Sequence, residues 1–279
     1  MVGKISHQPT LKRLNISVLV ITAFMGVFRF KKFEVINERS AMKVNTDGVL
    51  LGAAMTITPS DRRLLDIGTG TGTIALMTAQ RLADLRNACL KPEVEMGGGV
   101  WIDAIDIDEP SASEAAANFG HSPWAGSLHA HHLSLDEFES ALQQSECRYD
   151  LIFSNPPYFE DSLTAPDERK SAARHTSDGL SYRDIFDFAK THLSDSGRVA
   201  LVLPSDQEMA ICRYARMSGL HLFRVLRIRT VPRKAPSRIV IEFSRVRPQS
   251  VDDTILTIQN EGQYTQEYLS LTKDFYLFA

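Results

Sequence analysis

Two short segments hold residue types suited to group transfer. The first is Asn155-Pro156-Pro157-Tyr158, directly after the apolar run Asp150–Ser154. An exocyclic amine on a planar ring is a weak nucleophile because its lone pair is delocalised. The Asn155 side-chain oxygen and the Pro156 carbonyl can each accept an N–H from such an amine. Two acceptors aim the lone pair at an electrophile and help carry the positive charge that develops on nitrogen. Pro156 and Pro157 stiffen the turn. Displacement at a methyl carbon needs an in-line approach, so positioning supplies much of the rate. Tyr158 can stack on a planar substrate, worth ~1–3 kcal/mol per base. No strong general base is needed. A stiff turn over a buried tyrosine, without chemistry, is the competing reading.

The second segment is Leu64–Gly72, LLDIGTGTG. Glycine at 68, 70 and 72, between a strand and a helix, lets backbone N–H groups approach a ligand closely. The spacing is G-x-G-x-G, not the G-x-G-x-x-G of dinucleotide sites. Asp66, just ahead of the turn, suits a cationic amine and repels a pyrophosphate. S-adenosylmethionine has an amine, a sulfonium and a ribose. Asp106, at the end of the following strand, is placed for the ribose hydroxyls. The irregular stretch Asn87–Gly99, ending in three glycines, lengthens the gap between the two acids.

Alternating strands and helices position these segments. Strands are predicted at Arg63–Ile67, Val100–Ile107, Ser127–Ala130, Asp150–Ser154, Arg198–Leu203, His221–Arg229, Arg238–Phe243 and Thr254–Ile258. Helices are predicted at Thr73–Leu85, Pro110–Phe119, Leu135–Gln143, Ser181–His192, Gln207–Ser218 and Thr265–Lys273. A short hairpin fits Phe28–Val35. Thr46 or Asp47 is expected to cap a helix that begins near Val49. The alternation implies an α/β fold, mostly parallel, with helices on both faces and an antiparallel hairpin at one edge.

The motifs together resemble class I S-adenosylmethionine-dependent methyltransferases that act on amines. More narrowly, the chain resembles the bacterial tRNA(Val) adenine-N6 methyltransferase family, which modifies adenine-37 beside the anticodon. The resemblance runs from Phe28 to Ala279. It rests on FKKF (Phe30–Phe33), AMKVNTDGVLLGA (Ala41–Ala53), LLDIGTGTG, IDAIDID (Ile102–Asp108), NFGHSPWA (Asn118–Ala125), DLIFSNPPYF (Asp150–Phe159) and FYLF (Phe275–Phe278). It implies a Rossmann-like, seven-stranded sheet and S-adenosylmethionine as cofactor. It also implies that Lys43, Thr46 or Asp47 closes the cofactor pocket. The family's aspartate near the cofactor adenine is replaced here by Ser134, with Asp136 as a substitute. Glutamine-N5 methylation of release factors, other nucleic-acid amine methylation and a non-catalytic RNA-binding module are the rival readings.

The chain has 279 residues, a formal charge of −3 and 43% hydrophobic residues, which excludes a disordered chain. No run of ~18 apolar residues argues for a membrane span. Cys89, Cys147 and Cys212 are far apart, as in a reducing cytoplasm. His129, His131 and His132 lack the spacing of a metal site. A monomer without metal is expected. The near-neutral total conceals a basic segment, Arg224–Arg247, with eight cations and one acid, Glu242. Arg227, Arg229, Arg233 and Lys234 within it, with Phe159 after the proline turn, are candidate tRNA contacts. Residues 1–27 read as an extension outside the catalytic domain, or as the result of translation that truly begins at Met25.

Overall fold

The structure is a computed structural model, which describes residues 26–89, 99–142, 147–157 and 179–279. Nearly all of the expected extension, together with Tyr158 and Phe159, lies outside these residues. A small hairpin, β1 (Val27–Arg29) and β2 (Glu34–Ile36), comes first. Helix α1 (Thr46–Ala54) follows, then β3 (Arg63–Ile67), α2 (Thr73–Cys89), β4 (Trp101–Asp106), α3 (Glu109–Gly120), β5 (Leu128–His132), α4 (Leu135–Leu142) and β6 (Tyr149–Ser154). The second half holds α5 (Tyr182–His192), β7 (Leu193–Pro204), α6 (Glu208–Met217), β8 (His221–Arg229), β9 (Arg238–Ser244) and β10 (Asp252–Thr257). A two-residue hairpin, β11 (Gln259–Asn260) and β12 (Gln263–Tyr264), precedes α7 (Gln266–Thr272).

Eight strands form the main sheet, in the order β10-β8-β9-β7-β6-β3-β4-β5. All pairings are parallel except those of β9, which runs antiparallel to both β7 and β8. The mostly parallel sheet and the antiparallel hairpin match the sequence expectation. The strand count is eight rather than seven, because β10 adds to the outer side of β8, parallel to it. Central strands are buried on both faces, so they read as continuous apolar runs. In β7, every residue from Val199 to Leu203 is enclosed.

Helix α1 begins at Thr46, earlier than expected, and its cap is Asn45. The Asn45 side-chain oxygen accepts the Gly48 N–H at 2.8 Å. Asp47 does not cap, because its carboxylate faces Arg238 across the fold. Seven consecutive residues of α1, Gly48 to Ala54, are buried, so the helix is wedged firmly under the site.

The chain order reverses between β3 and β6. From β3 it proceeds outward to β4 and β5, then returns to the other side of β3 as β6. Ligands in open α/β sheets bind at this reversal, outside the carboxyl ends of the strands. Ile67 and Ser154 pair at those ends, so the glycine loop and the proline turn leave the sheet side by side.

Candidate active site

The glycine loop is held by its neighbours. Gly68 and Thr69 donate backbone N–H groups to the Ile105 carbonyl at 2.9 and 3.0 Å. Gly70 donates to the Asp106 carboxylate at 2.8 Å, and Asp108 donates to its other oxygen at 2.9 Å. Burial pushes the Asp106 carboxyl above its ordinary value, while these two N–H groups pull it down. Each oxygen still has a lone pair for a ligand hydroxyl. Gly68, Gly70 and Gly72 all have positive φ. At Gly72 a Cβ would also lie 2.5 Å from the Phe119 ring, so glycine is required there twice over.

Asp66 is fully enclosed beneath this loop. One oxygen accepts the Thr69 hydroxyl at 2.8 Å, and the other has no partner among the described residues. Burial pushes its carboxyl up to about 7. Sequence reasoning pairs this acid with a cationic amine; the structure encloses it, with Thr69 rather than Asp66 at the crevice wall.

A strap, residues 38–45, crosses above the loop. Helix α3 fastens it through a feature that local sequence patterns do not reveal. The buried Glu114 carboxylate accepts the backbone N–H groups of Glu38, Arg39 and Ser40 at 2.8, 2.9 and 3.0 Å. Ser111 bonds Ser40 and Ala41, and Asn118 joins Ile36 to the Thr71 carbonyl. One helix therefore locks strap, hairpin and glycine loop into a single frame.

Strap, loop and proline turn line one open crevice. Lys43, Asn45, Gly68, Gly70 and Asn155 all line it. Asn155 is nearly buried, and its amide donates to the Met42 sulfur of the strap at 3.6 Å. Pro156 is buried and Pro157 exposed. Lys43 contributes its stem, because its ammonium bonds the Glu38 carbonyl at 2.6 Å. Thr46 is exposed on the first turn of α1 and is not part of the crevice wall.

Ser134 has a structural task. Its hydroxyl donates to Glu137 at 2.8 Å and accepts the Glu137 N–H at 3.2 Å. This capping box starts α4 and is legible as Ser134-x-x-Glu137. The histidines disperse: His129 stacks on Trp101, His131 pairs with Asp103, and His132 meets the Ile107 carbonyl. Among the described residues, no group of three or more His, Cys, Asp or Glu could hold a metal ion.

The basic segment is less free than its composition suggests. Arg224 pairs with Glu242 and Asp252, and Arg227 with Glu208 and Asp253. Arg229 bonds Thr257 and the Pro232 carbonyl. The sequence count missed acids that lie outside the segment and fold back onto it. Arg233 and Lys234 remain exposed at the tip of the β8–β9 hairpin. Because β8 is parallel to the central strands through two reversals, this tip projects at the same sheet edge as the crevice.

No protein-family model matches the chain. Curated relatives do. A tRNA1(Val) (adenine(37)-N6)-methyltransferase of Parabacteroides distasonis is 39% identical over 251 residues, covering 90% of this chain and 97% of the relative. One of Flavobacterium psychrophilum is 36% identical over 252 residues, covering 90% and 99%. Among solved structures, one described as a predicted O-methyltransferase from Agrobacterium tumefaciens aligns with TM-score 0.58 at 14% identity, covering 82% of this chain and 96% of that one. A methyltransferase from Pyrococcus furiosus aligns with TM-score 0.51 at 17% identity, covering 82% and 94%. These two share the fold. With curated relatives this similar over nine-tenths of its length, the chain belongs to the tRNA1(Val) (adenine(37)-N6)-methyltransferase family.

Proposed function

We propose that this chain transfers a methyl group from S-adenosylmethionine to the N6 amine of adenine-37 in a valine tRNA. The observation that carries the reading is the meeting of Asn155, the glycine loop and the strap around one crevice. The residues present fit the cofactor. Asp66, buried beneath the glycine loop with one oxygen unpartnered, can favour a cation in the crevice through its field. The Asp106 carboxylate keeps lone pairs for ribose hydroxyls, and Gly70 holds it in place.

When bound, the cofactor supplies an electrophilic methyl carbon whose bond to sulfur breaks with its electron pair. This chain's residues orient the nucleophile. The Asn155 side-chain oxygen and the Pro156 carbonyl accept the two N6–H bonds, turning the nitrogen lone pair toward that carbon. As the N–C bond forms, both acceptors stabilise the cationic nitrogen, and the excess proton passes to water. Tyr158 and Phe159 supply stacking surface for the extruded base. Arg233 and Lys234 contact backbone phosphate. A cytoplasmic location follows from the substrate.

The test is incubation of the purified chain with labelled cofactor and unmethylated tRNA, followed by nucleoside mapping. The label should appear as N6-methyladenosine at position 37, and label on another base or on protein refutes the assignment. Asn155→Ala should lower turnover by about 100-fold or more while cofactor binding survives. Equal loss of cofactor binding would assign Asn155 to the pocket wall alone.

A further inference from the structure

An ion pair links the start of α1, beside the crevice, to the base of the β8–β9 hairpin. The Arg238 Nε donates to the Asp47 carboxylate at 2.9 Å. These residues are 191 positions apart, and their side chains are 35% and 23% exposed. As a stability device, a pair this open to water contributes little. Its position is more informative. Asp47 lies in the first turn of α1, next to the strap residues Lys43 and Asn45 that line the crevice. Arg238 opens β9, directly after the hairpin tip that carries Arg233 and Lys234.

That tip is stiff. Lys234 closes a turn onto the Val231 carbonyl at 3.1 Å, and Ser237 bonds the Ile228 carbonyl at 2.9 Å. The Ser205 hydroxyl holds the Pro236 carbonyl at 2.7 Å, and Arg229 holds that of Pro232 at 3.1 Å. Pro232 and Pro236 fix their own φ angles. A load on Arg233 or Lys234 therefore reaches Arg238 without being absorbed in the loop. On the other side, α1 is buried along seven residues, and Asn45 ties its start to the strap. The strap in turn touches Asn155 through Met42.

We propose that the Asp47–Arg238 ion pair is a latch that couples tRNA contact at the β8–β9 tip to the set of the strap over the cofactor crevice. The inference rests on the tRNA methyltransferase reading above and adds to it a positioning pair that touches neither the cofactor nor the reacting amine. Phosphate contact at the tip steadies Arg238, Arg238 steadies Asp47, and the start of α1 then adds to the hold that Glu114 and Ser111 already have on the strap. Coupling of this kind is reciprocal: tRNA tightens the cofactor by the same factor that the cofactor tightens tRNA.

The experiment measures the Kd of S-adenosylhomocysteine, which cannot react, with and without saturating unmethylated tRNA at fixed salt. In the wild-type chain, tRNA should tighten binding by about tenfold, within the ~5–150-fold range of allosteric couplings. In Asp47→Asn and in Arg238→Gln the ratio should fall to about 1. The double variant should do no more than either single one, because both remove the same link. Arg238→Lys, which keeps the charge, should retain most of the ratio. A merely structural role would lower the melting temperature and leave the ratio intact. The latch is overturned if a folded single variant keeps the wild-type ratio, or if an active wild-type chain shows no coupling. A wild-type chain that neither binds nor methylates tRNA overturns the underlying reading instead, and this one with it.

Discussion

Asp66 makes fold stability depend on pH in a direction opposite to that of most carboxylates. In the folded chain it ionises at about 7, against an ordinary value of 3.8, and burial is the main cause. Below about pH 4 both folded and unfolded states hold the proton, and the stability associated with this group is complete. Between about pH 4 and 7 the unfolded chain releases the proton and the folded chain keeps it, so stability falls as pH rises. Above that window the loss is complete. At 1.36 kcal/mol for each tenfold step, the total is about 4 kcal/mol. For a domain of this size, 1 kcal/mol moves the melting temperature by roughly 2–4 °C, so the effect is about 10 °C. Asp66→Asn removes the titration. Its amide oxygen can still accept the Thr69 hydroxyl, and any cost from its NH₂ group is constant with pH. The assay is thermal unfolding of both chains from pH 4.5 to 8.5 without ligand. The gap between Asp66→Asn and wild type should shift in favour of the variant as pH rises, by about 10 °C in all. Parallel curves would refute the enclosed, high-pKa aspartate. The same titration predicts cofactor affinity. A cationic ligand nearby favours the ionised carboxyl, so S-adenosylmethionine should bind the wild type more tightly at pH 8 than at pH 6. In Asp66→Asn that gain should vanish in calorimetry.

Three other perturbations probe the frame around the crevice. Gly72→Ala must adopt positive φ and displace Phe119, and should destabilise the chain by about 2–5 kcal/mol in urea unfolding. A loss under about 1 kcal/mol would show that the loop relaxes freely. Glu114→Gln weakens three backbone contacts to the strap and should raise the cofactor Kd, with faster amide exchange at residues 38–40. Unchanged exchange there would mean that Ser111 and Asn118 suffice to hold the strap. Reversing Arg233 and Lys234 to Glu should raise KM for tRNA and flatten its salt dependence by about one to two phosphate contacts. An unaltered salt slope would remove the hairpin tip from the RNA surface.

The parts of the site that are legible in sequence are those built from neighbours along the chain. Leu64–Gly72 announces a strand, a turn and a helix start by apolar run and glycine spacing alone. Asn155–Pro157 announces a rigid turn, because proline restricts its own backbone wherever it sits. The cap of α1 is Asn45 rather than Thr46 or Asp47; all three are good caps, and only packing decides among them. Ser134, expected near the cofactor adenine, also forms a capping box with Glu137, which is itself a readable pattern. The eighth strand is visible among the predicted elements, yet its parallel place outside β8 depends on pairing that no local pattern encodes.

Sequence alone determined the groups on offer: a glycine-rich turn, two acids at strand ends, and an asparagine followed by two prolines. These depend on residue type and on separations of a few positions, where covalent geometry transmits the information. Tertiary structure decided how that chemistry is held and which charges are available. Glu114 reaches Ser40 across 74 positions, and Arg238 reaches Asp47 across 191. It also enclosed Asp66 and paired Arg224 and Arg227 with Asp252, Asp253 and Glu208, acids outside the basic segment. Ion pairs and burial are properties of which surfaces meet, and the order of strands in the sheet, rather than the order of residues in the chain, sets that.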